Sequence, residues 1–413
     1  MSQLYDIAIV GGGASGLAAA VFCARERGTG AGIVLLEKTS RVGKKLLATG
    51  NGTCNITNRN AAPANYHGVG TETFVTPALT QFPPQACIDF FASLGVLCAP
   101  REAGREYPLC QQAGAVLDCL RLELQGFGVA ERCDSTVTAV TPKNDGFVLT
   151  LAGSEALRAR RVILSTGGAA SPSLGGSCDG YALATALGHR KTPLFPSIVQ
   201  VRTDITFVRA MKGLRTDATV TFCLNGEPQC SHTGELLFTE YGISGPAVMQ
   251  ISRIVGDWER RKADELTAVL DLLPTVDELS LLTLLSDRRA LSRTAADFLT
   301  GLLHKRIGQT VCRAAGFSLD ASMDNLTQND IRRLANTIKH FTLPVMGTQG
   351  LAGAQVTAGG IATADVDPRT MMSRRVPGLF LIGELLDVDG DCGGYNLQWA
   401  WASAYAAAKA VTR

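Results

Sequence analysis

The stretch YDIAIVGGGASGLAAAVFCARE, residues 5–26, limits what this chain can fold into more than any other. Ile7 to Val10 is a short apolar run without alternation, which predicts a strand buried on both faces of a parallel sheet. Gly11, Gly13 and Gly16 follow in GxGxxG spacing. The first glycine allows the tight turn, the second lets backbone approach a pyrophosphate, and the third lets a helix lie close to the strand. Leu17 to Glu26 has helical composition, so a helix N-terminus would aim free N–H groups at phosphates beside Ala14 and Ser15. A second apolar run, GIVLLE, ends at Glu37, twenty-one residues after Gly16. A carboxylate there accepts hydrogen bonds from ribose hydroxyls and repels a 2′-phosphate, which disfavours NADP at this position. The unit predicts a dinucleotide site but does not choose the dinucleotide.

Two later segments make the choice. In ARRVILSTGGAASPSLGG, Val162 to Ser165 reads as a strand followed by Thr166, Gly167 and Gly168. In VPGLFLIGELLDVDGDCGGYNLQWAWASAYAAAKA, Leu379 to Ile382 is another buried strand, ending at Gly383 and Glu384. A nicotinamide domain would continue with further strand–helix units after Glu37. Here the strands return from far along the chain. The arrangement resembles the two-dinucleotide-binding-domain flavoproteins, where the glycine motif binds the ADP half of FAD, a central strand ends in Thr-Gly, and a C-terminal strand ends in Gly-Asp. Glu384 is one methylene longer than that Asp. After Gly393 and Gly394 a helix is expected to begin at Asn396. Its N-terminus would face the pyrimidine side of the flavin and stabilise negative charge there.

The segments RVGKKLLATGNGTCNITN, LGH, LLFTEYGISGPAVMQIS and the C-terminal run from AQVTAGGIATADVD onward resemble one bacterial family across essentially the whole chain. It is the BaiN/RdsA-type NAD(P)/FAD-dependent oxidoreductases, also called aminoacetone oxidase-like FAD-binding flavoproteins; one of its activities is 3-dehydro-bile acid reduction. The resemblance implies cofactor contacts by residue. Gly11, Gly13, Ala14, Ser15 and Gly16 would hold pyrophosphate, and Glu37 and Lys38 the adenosine ribose region. Lys45, Thr49, Gly50, Asn51, Gly52, Cys54 and Asn55 would line the ribityl chain and ring. Val137 would meet adenine through its backbone, Thr166 and Gly167 would pack on the cofactor, and Gly383, Glu384, Asn396 and Leu397 would close the flavin end. Two positions depart from the family pattern: Thr53 stands where Arg is common, and Glu240 where His is common.

The fold class expected is α/β, a Rossmann-like FAD-binding domain with an inserted β-barrel-like domain and a helical insertion. A chain of 413 residues exceeds one ordinary core. The expected boundaries are 1–194 and 357–413 for the FAD-binding domain, 195–273 and 338–356 for the β-barrel-like substrate domain, and 274–337 for the helical insertion. Strand signatures such as ATVTFCLN and ELLFTEYG support the barrel, and Asp277 and Thr327 read as helix N-caps. Pro193, Pro196, Pro274 and Pro344 punctuate the boundaries. A substrate site is expected between the inserted domains and the flavin ring.

Charge and composition exclude other classes. With 39 basic and 37 acidic residues the net charge is +2, which argues against a nucleic-acid partner. Twelve cysteines contain no CxxC pair, so neither zinc nor iron–sulfur is expected, and no metal site is predicted. No signal peptide and no apolar run of membrane-spanning length is seen, so a cytoplasmic protein is expected, with no membrane partner. The sequence leaves the oligomeric state open.

No catalytic residue is evident. Cys392 reads as a small turn residue, with a low-pKa thiol as the alternative. Asp387, Asp389 and Asp391 read as a solvated acidic loop, and the five histidines show no ligand spacing. Tyr107 and Tyr395 are candidate proton donors. The function expected is an FAD-dependent oxidoreductase passing a hydride through flavin N5, as an NAD(P)H-linked reductase of an activated C=C or ketone on a small molecule. NADH or NADPH would be a transient donor. Two alternatives stay open: a peroxide-forming oxidase of a small amine such as aminoacetone, and a non-redox flavin-bearing RNA-modifying or binding protein.

Overall fold

The computed structural model describes residues 4–261 and 264–413. Its contacts divide the chain into two units, one running up to Phe195 and resuming over Gln355–Arg413, the other Pro196–Ala354.

The first unit is built on a seven-stranded sheet. Its strands are β1 (Leu4–Val10), β2 (Ile33–Leu36), β3 (Ala130–Arg132), β4 (Val137–Lys143), β5 (Gly146–Leu151), β6 (Ala156–Leu164) and a returning strand, Leu379–Leu381. The order is β3-β2-β1-β6-β5-β4, with the returning strand also paired to β6. β6 runs parallel to β1 along its length and changes partner on its other edge. Ala156 to Ala159 pair antiparallel with β5, whereas Val162 to Leu164 pair parallel with Leu379–Leu381. This is the expected α/β, Rossmann-like class.

Helix α1 (Ala14–Arg27) is buried from Ser15 to Ala24 because alanines let it lie close between its neighbours. It stops at Gly28, which is left-handed at φ 68°. The last helix, α2 (Tyr395–Val411), meets it through Phe22 and Tyr405, whose rings stand edge to face at 5.3 Å. Trp399 and Trp401 are buried on α2. The Trp399 indole N–H donates to Gly383 O at 3.1 Å, and that of Trp401 to Ile56 O at 2.9 Å. An unpaired indole N–H in this core would cost about 1–3 kcal/mol, so these bonds select where α2 rests. They tie it to the loop after the returning strand and to the segment after Cys54.

The second unit is a closed six-stranded barrel. Its strands follow the order Val201–Thr203, Gly242–Ser244, Glu227–Phe238, Arg215–Leu224, Leu266–Asp271 and Phe341–Thr348. The long hairpin turns at Asn225 and Gly226, both left-handed. Phe222, Phe238 and Leu270 fill the barrel, and Leu281, Leu285, Ile331 and Leu334 from the helical segment join the same core. Each such side chain contributes about 1.5–3 kcal/mol on burial. Asp277 and Thr327 do cap their helices, accepting from Ser280 N and Asp330 N. Pro344 lies inside Phe341–Thr348, opposite Thr267, and its carbonyl accepts from Asp204 N at 2.8 Å. Among the described residues no helix is long and apolar enough to cross a membrane.

Candidate active site

Four strand ends stand in register: Leu36 opposite Val10, Val10 opposite Leu164, and Leu164 opposite Leu381. Glu37, Gly11, Ser165 and the Ile382–Gly383 step therefore leave the sheet side by side at its carboxyl edge, where ligands bind in open α/β sheets. Glu37 is held by two backbone donors, Gly12 N to Oε2 and Thr39 N to Oε1, each at 2.8 Å. Two glycines are required by packing. A Cβ on Gly11 would fall 2.5 Å from Ser165 O, and one on Gly16 would fall 1.9 Å from Gly11 O. Gly13 differs, because a Cβ there would meet nothing within 4 Å. α1 starts at Ala14, three residues before the expected Leu17, and no side chain caps its first turn. The motif thus frames a bare helix N-terminus facing open space, the arrangement a pyrophosphate requires.

The segment after Lys45 makes a second cradle. Gly50, Asn51 and Gly52 are left-handed at φ 56°, 53° and 89°, and Cys54 follows at φ 60°. Thr49 holds the turn: its hydroxyl donates to Leu46 O, and Cys54 N donates to its carbonyl at 2.9 Å. Asn55 Oδ1 and Thr166 Oγ1 are buried with no hydrogen-bond partner. Thr166 Oγ1 packs against Gly180, whereas Asn55 Oδ1 lies beside Gly394; an orphan there, at about 1–3 kcal/mol, points to a polar group supplied from outside the chain. Open space at Gly13, an uncapped helix and the orphaned Asn55 oxygen fit FAD.

The C-terminal segment closes this edge. Gly383 is left-handed at φ 68°, and a Cβ there would lie 2.7 Å from Ser15 Oγ. Glu384 uses its extra methylene: Oε1 accepts from Thr357 N at 2.9 Å and Oε2 pairs with Lys45 at 2.8 Å. α2 begins at Tyr395, one residue before the expected start, with left-handed Gly394 as its uncapped N-terminus. Asn396 spends its amide on Gly390, accepting from Gly390 N and donating to Gly390 O, each at 2.8 Å. Leu397 is half-buried in the same first turn.

Other expected residues have different surroundings. Lys38 pairs with Asp179 at 3.0 Å, and Gly167 is left-handed beside open space. Val137 opens β4, whereas the strand that leads to Thr166 is β6. It comes near Glu37 because Ser135 N donates to Glu37 O at 2.8 Å. The acidic run is not solvated: Asp387 and Asp389 are buried, and Asp391 accepts from Asn65 and pairs with His67 at 2.8 Å. No group of ligating side chains suited to a metal occurs among the described residues. Burial pushes the Cys392 thiol up rather than down, with Arg105 opposing, so it is not a low-pKa thiol. Burial also raises Tyr395 and depresses His189, whose ring is bonded to Ala184 O and Ser373. Thr53 turns its hydroxyl back to Gly50 O, and Glu240 pairs with Lys212.

Sequence reasoning missed Gly12, whose N–H positions Glu37, and Arg105. A cleft of 640 Å³ is lined by Thr53, Arg101, Arg105, Tyr107 and Gln111, among others. REYP alternates over only four residues, too few to have marked Arg105. Tyr107 also borders the Gly50 turn, its ring 3.2 Å from where a Cβ on Gly50 would stand.

Residues 5–410 match the model of the HI0933-like protein Rossmann domain. The chain belongs to that family. The resemblance drawn from the sequence holds at the level of the family. The chain is 39% identical over 409 residues to the 3-dehydro-bile acid delta(4,6)-reductase of Clostridium scindens, covering 98% of each chain. It is 33% identical over 423 residues to the ribosomal RNA dihydrouridine synthase of Haemophilus influenzae, covering 100% of each. The 3-ketosteroid delta1-dehydrogenase of Sterolibacterium denitrificans aligns over 100% of both chains with a TM-score of 0.55 at 15% identity, a likeness of fold.

Proposed function

We propose that this protein is an NAD(P)H-linked, FAD-dependent reductase of an activated C=C bond or ketone on a small molecule. The observation that carries the reading is the 39% identity, over 98% of both chains, to a reductase of 3-dehydro-bile acids. Gly11, Gly13, Ala14, Ser15 and Gly16 would hold the pyrophosphate, and Glu37 the ribose, with Lys38 nearby. Thr49 to Asn55, Lys45, Val137, Thr166, Gly167, Gly383, Glu384, Asn396 and Leu397 would complete the cradle. Bound there, FAD would supply hydride transfer through N5. The chain's own part is to orient the substrate and place a proton. The uncapped start of α2 would stabilise negative charge nearby, and Tyr107 and Tyr395 are the candidate proton donors.

Anaerobic mixing tests this. NADH or NADPH should bleach the yellow protein, and a 3-oxo-4-ene steroid should restore its colour while being saturated. Bleaching by aminoacetone alone, with peroxide formed in air, would replace the reductase by the oxidase. A second reading is modification of ribosomal RNA, favoured by the 33% full-length identity to a dihydrouridine synthase. It requires dihydrouridine to disappear from the ribosomal RNA of cells lacking this protein.

A further inference from the structure

Arg105–Pro108 alternates half-buried and buried residues. Arg105 and Tyr107 leave one face, while Glu106 turns inward, fully buried, to Arg59. The neighbouring strand Cys98–Pro100 sets Ala99 opposite Tyr107; Arg101 N donates to Arg105 O at one end, and Leu109 N to Leu97 O at the other. One face of this hairpin therefore carries two guanidiniums, then an aromatic ring, then Leu97 and Leu109, each 62% exposed. Arg101, Arg105 and Tyr107 line the 640 Å³ cleft. Neither guanidinium has an ion-pair or side-chain hydrogen-bond partner among the described residues, although Glu102 shares the cleft. Arg105 Nε lies 3.2 Å from where a Cβ on Gly393 would stand, so the face reaches the turn before α2.

We infer that Arg105, supported by Arg101, anchors the carboxylate of an amphipathic small-molecule substrate whose apolar remainder lies along Tyr107 toward the leucines. A half-buried guanidinium without a counter-ion is a ready fork for a carboxylate, and such charge-assisted pairs are the strong ones. A cleft of this size suits a small molecule. Two arginines on a chain of net charge +2 do not make the broad basic surface that a nucleic-acid backbone needs. The inference rests on the small-molecule reading above and names the chemistry of its substrate.

Equilibrium dialysis of the flavin-loaded protein against 3-oxo-4-cholenoate and its uncharged methyl ester tests the anchor. The acid should bind roughly 10- to 100-fold more tightly than the ester, the range expected of one charge-assisted pair. Arg105→Met should erase that preference while leaving ester binding within about twofold, Arg105→Lys should restore part of it, and the loss should fall on KM rather than kcat. Arg101→Met, at an exposed position, checks the second cation without risk to folding. Retention of the acid preference in Arg105→Met would overturn the inference, as would displacement of the acid by RNA at equal charge. If acid and ester are reduced with equal KM, the anchor falls and the reductase stands. If neither is reduced yet acid binding still depends on Arg105, the anchor stands and the reductase falls.

Discussion

Gly13 offers a direct test of the cofactor cradle, because its backbone would accept a side chain that its ligand would not. Its φ of −79° and ψ of −169° suit any residue, and a Cβ there meets no atom within 4 Å. In Gly13→Val the folding terms nearly cancel. Valine lowers unfolded-chain entropy by about 0.4–1 kcal/mol, while its poorer helix-capping costs a similar amount. The ligand-free variant should melt within about 4 °C of ligand-free wild type. Flavin binding should collapse, since the isopropyl group fills the space before the bare N–H groups of α1. Losing two charge-assisted hydrogen bonds at about 1.5–3 kcal/mol each weakens binding by roughly 10²- to 10⁴-fold. Gly16→Val is the contrast: its Cβ would stand 1.9 Å from Gly11 O, so it should fail to fold at all. The assay is the ratio of visible flavin absorbance to protein absorbance after purification, with thermal melts of stripped protein alongside. A Gly13→Val protein that purifies with full colour would refute the placement of the pyrophosphate.

Asn55→Leu removes a buried, unpartnered carbonyl, so stripped protein should lose no more than about 1 kcal/mol of stability, or gain some, while flavin affinity drops about tenfold or more; titration with FAD and denaturant melts check both. Cys392→Ser should leave turnover within about twofold, because burial holds that thiol above its ordinary range and out of the thiolate form; steady-state rates decide. Burial depresses His189, so the unfolded chain takes up a proton before the folded one does. Its contribution to stability is complete above the unfolded value near about pH 6.5 and declines as pH falls below it, by up to about 1.4 kcal/mol per unit until the folded value is reached. His189→Gln should flatten that acid limb in urea melts from neutral to acid pH. Glu384→Asp should cost about 1–2 kcal/mol, because the shorter arm cannot reach both Thr357 N and Lys45; thermal melts measure it.

The main sheet was readable because its strands are written in two local signals. Unbroken apolar runs such as IVLL and LFLI mark strands buried on both faces, the first ending at Glu37 and the second at Gly383. The barrel hairpin was readable from alternation broken at Asn225 and Gly226. The sheet of Thr57–Asn58, Arg105–Pro108 and Cys98–Pro100 was not, since strands of two to four residues carry too little periodicity. Its best side chain, Arg105, stayed hidden with it. The acidic run misled for a different reason. Carboxylates at alternate positions look solvated until partners arrive from elsewhere, and Asp387 receives Val69 N across 318 positions.

One edge of the sheet holds parts drawn from both ends of the chain because β6 has two partners on one side. β6 serves the hairpin with its first half and the returning strand with its second, so the segment between them leaves and re-enters without breaking the sheet. What returns is then locked chemically as well as by pairing: Trp399 holds the Gly383 carbonyl, Ser403 Oγ accepts from Gly383 N at 3.1 Å, and Trp401 holds Ile56 just beyond the Gly50 turn. A single buried helix thus sets the spacing between the two cradles. On the proposed reading the glycine motif by itself would supply only the pyrophosphate end, and the ring end would require α2 to be docked. That dependence is why GxGxxG alone could not name the cofactor, whereas the residues around Gly383 could.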